Sequence, residues 1–242
     1  MTAIGYSIQE SLRAKCVRVK VSLYDGRVVV VVPQGFDREQ VPGILREKQS
    51  WIERAQQKVN EQRELAGTNG SSDLPESVLL RAVEEAWAVR YDPAPTPGRV
   101  SYKKSGDVLL VRGDVENSQL CRLALQHWVK RKARADLIPW LSKLSGELDL
   151  PMGRVLVRSQ RSRWGSCSRR RAISLNQKLL FVPPPLVRYV FLHELCHTVH
   201  FDHSPAFWAF LAQREPRWKA LDEELDMAWR YVPLWASSPG PG

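Results

Sequence analysis

The spacing of apolar and polar residues divides the first part of the chain into strands and one long helix. Alternation over residues 16–24, the pair Asp25-Gly26 and an apolar run over residues 27–32 together predict a β-hairpin. Helical spacing then predicts a helix over residues 40–65. The apolar stripe expected on this helix consists of Trp51, Ile52, Ala55 and Val59.

The next stretch has a mixed pattern. Residues 67–73 are rich in Gly, Ser and Asn and predict a flexible linker. Residues 78–90 could form an amphipathic helix, but apolar residues also alternate there, and Gly106-Asp107 lies between two short apolar runs. Because alternation is typical of half-buried strands, we favour a small antiparallel meander over residues 77–112.

Helical spacing dominates the second half of the chain. Residues 117–145 predict a long helix, which Pro139 should kink or split. Strands are expected at residues 154–158 and 172–176, on either side of a polar loop. Further helices are expected before residue 193, after Ser204-Pro205 and over residues 218–229. The core face predicted for the long helix comprises Leu120, Leu123, Ala124, Trp128, Ala135, Ile138 and Leu141.

This order of elements predicts an α+β protein with a β-rich first part. Residues 1–112 are expected to form a region of β-hairpin, helix and meander. Residues 113–236 are expected to form a catalytic domain. Residues 237–242 are Ser, Pro and Gly and are expected to be a disordered tail.

The most informative segment is residues 193–203, which hold four of the five histidines in the chain. His193 and His197 are four residues apart, so a helix places both imidazoles on one face, with Glu194 beside them. This HExxH pattern is typical of two zinc ligands next to a carboxylate that acts on a metal-bound water. The alternative is a pair of core histidines held by hydrogen bonds, which would leave costly buried rings.

A catalytic zinc site needs three protein ligands and one open position. His203 is the favoured third ligand, because it lies on a turn just before Ser204-Pro205 and can point back at the metal. His200 is near in sequence but is a poor third corner of a tetrahedron. The remaining alternatives are Glu215 and Glu223, which lie on later predicted helices.

The charge distribution and the cysteine spacing indicate possible binding partners and a cellular compartment. The formal net charge is +10, with seven arginines and no acidic residue over residues 154–171. A second basic cluster spans residues 122–134. Basic clusters of this kind can bind nucleic acid or anionic substrates. The alternative is a solvated face without a binding role. The four cysteines form no CxxC pair, which favours a reducing cytoplasm. No signal peptide and no membrane span are expected from the sequence.

Residues beyond the HExxH motif resemble the YgjP-like metal-dependent hydrolases, which belong to the zincin-like metallopeptidases. The matching pieces are Arg163-Trp164-Gly165-Ser166-Cys167, residues 173–176, Pro183-Pro184 with Tyr189-Val190, His193-Glu194-Leu195-Cys196-His197, and His203-Ser204-Pro205 with Phe207-Trp208. The resemblance implies a zincin α+β fold, zinc on His193, His197 and His203, and Glu194 as the catalytic base. It also implies a peptide or protein substrate, although a wider grouping is labelled as nucleotide pyrophosphatases, with hydrolysis of UTP as an example.

The expected chemistry is hydrolysis by a zinc-bound water that Glu194 deprotonates. The developing oxyanion needs a second electrophile, for which an arginine of the polar loop is favoured. In the alternative interpretation, Arg163 and Trp164 only hold that loop in place. Residues 172–176 are predicted to be an edge strand that pairs with an extended peptide. The candidates for binding substrate are Arg161, Arg163, Tyr189 and His200.

Three classes of function remain at this point. A zinc peptidase comes first, and a nucleotide pyrophosphatase using the arginine loop for phosphate comes second. The third, a nucleic-acid binder with structural zinc, is disfavoured because Glu194 would have no purpose in a closed site.

Overall fold

The computed structural model describes residues 5–22, 26–65 and 74–237. The chain divides into two compact units, of which the first comprises Met1–Asn69 with Trp229–Leu234, and the second Gly70–Ala228 with Trp235–Gly242. The sequence suggested a boundary at residue 112, whereas residues 77–113 form a sheet that contacts the long helix of the second unit. The predicted linker at residues 67–73 and the predicted tail after Ser237 lie outside the described residues.

The first unit contains a three-stranded sheet of β1 (Tyr6–Ser11), β2 (Arg18–Val21) and β3 (Val28–Pro33). Strand β3 is central, because its valines can be buried on both faces; it pairs antiparallel with β2 and parallel with β1. The predicted pairing of β2 with β3 is therefore confirmed, while residues 23–25 of its turn lie outside the described residues. The sequence did not predict β1.

Two helices follow, α1 (Val41–Glu47) and α2 (Gln49–Leu65), where the sequence predicted one. The predicted stripe is correct for Ile52 and Val59, which are buried, but wrong for Trp51, which is 46% exposed. The reason is helical geometry: Ile52 and Val59 are seven residues apart and share a face, and Trp51 is rotated about 100° away from Ile52.

The second unit begins with a four-stranded sheet of β4 (Ser77–Leu80), β5 (Glu85–Pro93), β6 (Val100–Ser105) and β7 (Val108–Gly113). Its order is β4-β5-β7-β6, and β5 pairs parallel with β7. The predicted meander is therefore wrong, although the β4–β5 and β6–β7 pairs are antiparallel. Strands β5 and β7 are the two inner strands; Leu109 and Val111 of β7 are fully buried, whereas the lysines of β6 lie at the edge.

Helix α3 (Ser118–Glu147) begins after Asn117, whose side chain accepts a hydrogen bond from the Leu120 amide at 3.2 Å. It runs continuously through Pro139, so the predicted split does not occur. The predicted core face is correct at Trp128 and Leu141, which are buried, but wrong at Leu123, which is 42% exposed; Leu125 is fully buried instead. The buried residues are Cys121, Leu125, Trp128, Val129, Ala133, Leu137, Leu141 and Leu144.

A second small sheet consists of β8 (Val155–Arg158), β9 (Gly165–Cys167) and β10 (Ile173–Asn176). Strand β10 pairs parallel with β8 and antiparallel with β9. The prediction that residues 172–176 form an edge strand is wrong, because the chain inserts β10 between its two neighbours. The edge strand nearest the predicted metal helix is β9, which the sequence left inside a polar loop.

The remaining helices are α4 (Pro184–Cys196), α5 (Pro205–Ala212) and α6 (Trp218–Asp226). Helices α4 and α5 carry proline in the first turn, where the missing amide proton costs no hydrogen bond. In the described ranges, no helix combines the length and the apolar character that crossing a membrane requires. Short 3-10 segments lie at Arg38–Gln40, Arg81–Val83, Gln177–Phe181, Ala228–Tyr231 and Leu234–Ser237.

Candidate metal centre

Helix α4 presents its histidines from a buried element. Leu186, Val187, Phe191, Leu192 and Leu195 are all at most 1% exposed, so the helix packs on several sides at once. A helix held in this way cannot rotate without exposing apolar surface. Its last turn therefore presents polar side chains in fixed directions.

Three imidazoles converge beyond that turn. The Nε2 atoms of His193 and His203 are 3.1 Å apart, and the Nε2 atom of His197 lies 3.2 Å from each of them. Tetrahedral zinc with Zn–N bonds of about 2.0–2.1 Å separates two ligand nitrogens by about 3.3–3.4 Å. The three ring nitrogens thus fit a single metal ion and leave one coordination position for a water or a substrate. They are the one His, Cys, Asp and Glu group within the described residues that could hold a metal.

The orientation of the His197 ring follows from a hydrogen bond to the backbone. Its Nδ1 lies 2.9 Å from the carbonyl oxygen of His200. Because a carbonyl can only accept, Nδ1 carries the proton and Nε2 keeps its lone pair for a metal. The imidazole of His200 instead lies edge to face with Phe210, at 5.1 Å between ring centroids. His200 therefore contributes its carbonyl to the centre and keeps its ring outside the triad.

Phe207 of α5 supports all three imidazoles. Its ring is fully buried and stacks on His197 at 4.4 Å, and it lies 5.0 Å from both His193 and His203. Trp208 stacks on the outer ring, His203, at 5.5 Å. Nothing in the spacing of Phe207 along the sequence indicated contact with the histidines.

Burial favours the neutral, metal-binding form of two of the imidazoles, His193 and His197. Burial, with smaller effects from His197 and His203, lowers the pKa of His193 to about 3. Burial also lowers the pKa of His197, against the raising effect of its hydrogen bond to His200. A neutral imidazole offers its free lone pair without first losing a proton.

Glu194 is buried next to this cluster. It is 6% exposed, and within the described residues its Oε2 has no hydrogen-bond partner. Burial raises the pKa of Glu194 to about 8, and the nearby charge of Arg163 acts in the opposite direction. A buried carboxylate oxygen without a partner is costly, so it is suited to binding a group that arrives with the metal or the substrate.

Strand β9 passes directly over Glu194. A Cβ atom built on Gly165 would lie 2.6 Å from Oε1 and 2.8 Å from Cγ of Glu194. At distances under 3.0 Å one of the two groups must shift, so a Cβ at position 165 would displace the Glu194 side chain. The sequence identified Gly165 only through the family resemblance, and Glu194 through its spacing from the histidines.

The loop before β9 is tied to the central strand by Asn176. The Nδ2 atom of this fully buried residue donates to the carbonyls of Gln160 at 3.0 Å and Arg163 at 2.8 Å. Its backbone amide donates to the Trp164 carbonyl at 2.8 Å. Lys178 donates a further hydrogen bond from Nζ to the Gln160 carbonyl at 3.2 Å. These bonds set where the chain enters β9, and therefore where Gly165 meets Glu194.

The predicted substrate-binding residues lie in different surroundings. Arg163 is exposed, and its charge reaches Glu194. Arg161 is also exposed; burial lowers the pKa of the Lys178 ammonium to about 8, and the charge of Arg161 contributes a smaller lowering. Tyr189 is 1% exposed and donates its hydroxyl hydrogen bond to Asp222 at 2.8 Å, while its ring lies 6.1 Å from that of His193.

The other residues considered as metal ligands are outside the triad. Glu215 forms an ion pair with Arg188 at 3.2 Å, and Glu223 is exposed on α6. Cys196 is fully buried, and burial raises the pKa of its thiol to about 11. A thiol that keeps its proton is a poor metal ligand.

Comparison with known families gives one match. The family model described as a YgjP-like metallopeptidase domain matches residues 17–228. No curated protein and no solved structure matches the chain.

Proposed function

Because the chain belongs to the YgjP-like family of metallopeptidase domains, we propose that it is a zinc-dependent peptidase with a zincin-type active site. The observation that carries this proposal is the triangle of three Nε2 atoms, 3.1–3.2 Å apart, beside the buried Glu194. Three histidine nitrogens and one free position are the donor set of a catalytic zinc site. A metallopeptidase domain is a metal-dependent hydrolase, and the proposal adds the metal, the ligands and the base.

In this mechanism His193, His197 and His203 hold the metal. When bound, zinc supplies a water acidified to near neutrality and polarises the bond under attack. Glu194, whose Oε2 has no hydrogen-bond partner among the described residues, would accept a proton during attack and would then donate it to the leaving amine. The burial that raises the pKa of Glu194 suits both steps, because a carboxylate with a pKa near neutral pH takes up and releases protons readily.

We propose that Arg163 stabilises the oxyanion that develops during attack. Its charge reaches Glu194, and its guanidinium is exposed where a substrate can meet it. Arg161 is the weaker candidate because its charge acts on Lys178, and Tyr189 already donates its hydroxyl to Asp222. His200 acts through its carbonyl on His197.

An extended peptide would pair with the edge of β9. This strand is at the edge of its sheet, contacts α4 and places Gly165 against Glu194. Backbone pairing along an exposed edge gives affinity for many sequences, since it uses main-chain groups. The edge that we propose for substrate is therefore β9 and not residues 172–176.

Parallel assays of the full-length protein test this function. Zinc-loaded protein and its Glu194→Gln variant are compared on a quenched peptide library and on nucleoside triphosphates, including UTP. We expect peptide cleavage by the unmodified protein and a loss of about 10²–10⁴-fold in the variant, because general-base catalysis contributes that much. Zinc content, measured by atomic absorption, should be equal in both.

Two outcomes would contradict the proposal. Hydrolysis of UTP without peptide cleavage would assign the site to nucleotides, with Arg163 as the residue that holds phosphate. Retained peptide cleavage by Glu194→Gln would remove Glu194 from the mechanism.

A further inference from the structure

A long groove lies in the second unit between the edge strand β6 and helix α3. It consists of two adjoining cavities of about 500 Å³ and 390 Å³ that share Tyr102 and Arg131 in their walls. Residues from Leu120 to Ala135 of α3 line it, a length of about 22 Å at 1.5 Å per residue. None of these residues takes part in the metal centre described above.

One wall of the groove is apolar. It is formed by Leu120, Leu123 and Ala124, three residues that the sequence predicted to face the core. The core takes the neighbouring face of α3 instead, and Leu123 remains 42% exposed. The exposed apolar residues of α3 therefore give the groove a surface that suits a flat or apolar part of a ligand.

Five of the lining residues are basic. Arg99, Lys103, Lys104 and Arg131 line the groove, and none of them has an ion-pair partner within 4.0 Å among residues 5–22, 26–65 and 74–237. The fifth cation, Lys132, is already paired with acidic side chains at 2.6 Å and 3.0 Å. No acidic residue is among the lining residues.

Two rings stand between the basic residues. The Tyr102 hydroxyl lies 3.2 Å from Nδ1 of His127, and the ring centroids are 5.9 Å apart. His127 is exposed on the helix, so one face of this pair is accessible to a ligand. Aromatic rings set among exposed cations are the surface on which unpaired bases stack while phosphates meet the charges.

From this combination we infer that the groove binds single-stranded nucleic acid. The four cations without an ion-pair partner, of which Lys104 also lies over the Trp87 ring at 4.9 Å, would contact phosphates, and His127 with the apolar wall would contact bases. An acidic peptide could use the same cations, but it would make no use of the ring pair. A duplex keeps its bases stacked inside, so it would also leave the rings and the apolar wall without a partner. This inference does not depend on the peptidase activity.

Binding is tested with the full-length protein and fluorescently labelled oligo-dT and oligo-U of about 20 nucleotides, followed by fluorescence anisotropy. We expect micromolar affinity at low salt. The affinity should fall as salt rises, with a slope of log K against log salt of about −2.8, from about −0.7 for each of four phosphates.

Variants locate the site. The double variant Lys103→Glu/Arg131→Glu should weaken binding at least about tenfold and reduce the salt slope by about half. His127→Ala should weaken binding about fivefold with little change in the slope, because stacking is not electrostatic. The control is Arg154→Glu, which reverses an exposed arginine that lines neither cavity and should change affinity less than about twofold.

The inference is overturned if the unmodified protein does not bind either oligonucleotide at low salt. It is also overturned if Arg154→Glu weakens binding as much per charge as the groove variants do. Equal affinity for poly-glutamate or tighter binding to a duplex of the same length would assign the groove to that partner instead.

Discussion

The two walls of the metal centre are held in place by different forces. On the histidine wall, the rings pack against Phe207 and Trp208 of α5, with one backbone hydrogen bond from His197 to His200. On the opposite wall, the chain before β9 is held by hydrogen bonds from two buried residues, Asn176 and Lys178. The two walls meet at Glu194, which lies on α4 and touches Gly165 of β9.

Because the two walls are held by different forces, substitutions should affect them in different ways. Ring packing is non-directional and spread over many contacts, so a small change on the histidine wall weakens it by degrees. Hydrogen bonds are directional, and the β9 wall also depends on a missing Cβ atom, so small changes there displace Glu194 itself. The histidine wall should therefore govern metal affinity, and the β9 wall should govern turnover.

The largest effect is expected from His203→Ala. Loss of one of three ligands should lower zinc affinity by more than about 100-fold, beyond the range found when groups that only orient a ligand are removed. The matched control is His200→Ala, which should keep zinc because this residue contributes its carbonyl. Zinc content after dialysis against a chelator measures both. Loss of zinc in His200→Ala with retention in His203→Ala would reverse the assignment.

Gly165→Ala should reduce turnover by about 100-fold and leave zinc binding intact. The added Cβ would lie 2.6 Å from Oε1 of Glu194, and a misplacement of about 1 Å can cost this much in rate. Gly146→Ala on α3 is the control, because a Cβ there meets no atom within 4 Å. Steady-state kinetics measure the effect on turnover, and zinc analysis measures the effect on metal binding. Full activity in Gly165→Ala would show that Glu194 adjusts without penalty.

Asn176→Asp should reduce turnover by about tenfold and lower stability by about 3 kcal/mol. The change removes two N–H donors and turns a carboxylate toward the carbonyls of Gln160 and Arg163. Asn117→Asp before α3 is the control, since only its side-chain oxygen is used, as an acceptor from Leu120. Chemical denaturation and kinetics measure the two effects. If Asn176→Asp and Asn117→Asp had equally small effects on stability and turnover, the loop would not depend on Asn176.

The smallest effect is expected from Tyr189→Phe. The ring against His193 remains, and only the hydrogen bond to Asp222 is lost, so stability should fall by about 1 kcal/mol. Zinc affinity and turnover should change by less than about threefold. A fall of about 100-fold in turnover with zinc retained would instead place the hydroxyl in contact with the substrate.

Much of the histidine wall could be predicted from the sequence. A helix repeats every 3.6 residues, so the spacing of His193 and His197 placed both rings on one face before any fold was known. The position of His203 just before Ser204-Pro205 likewise favoured it over Glu215. These are local relations, carried by a few neighbouring residues, and the structure brings the same three rings together.

The strands of the β9 wall could not be ordered in the same way. Alternation predicted a strand at residues 172–176 but not its neighbours, so the edge was assigned to β10 in place of β9. The parallel pairing of β5 with β7 was missed for the same reason. Strand order depends on which segments pair across long separations, and the pattern within one strand carries no information about that.

The sequence by itself therefore determined which three histidines are candidate ligands, the helix that carries two of them and the family, because these depend on residue type and local spacing. Only the tertiary structure decided that Gly165 lies over Glu194, that Asn176 holds the loop, and that one apolar side of α3 lines an open groove. Each of these depends on contacts between residues far apart in the chain. Apolar and polar spacing can show that a face is apolar, but its partner in the folded protein decides whether that face is covered.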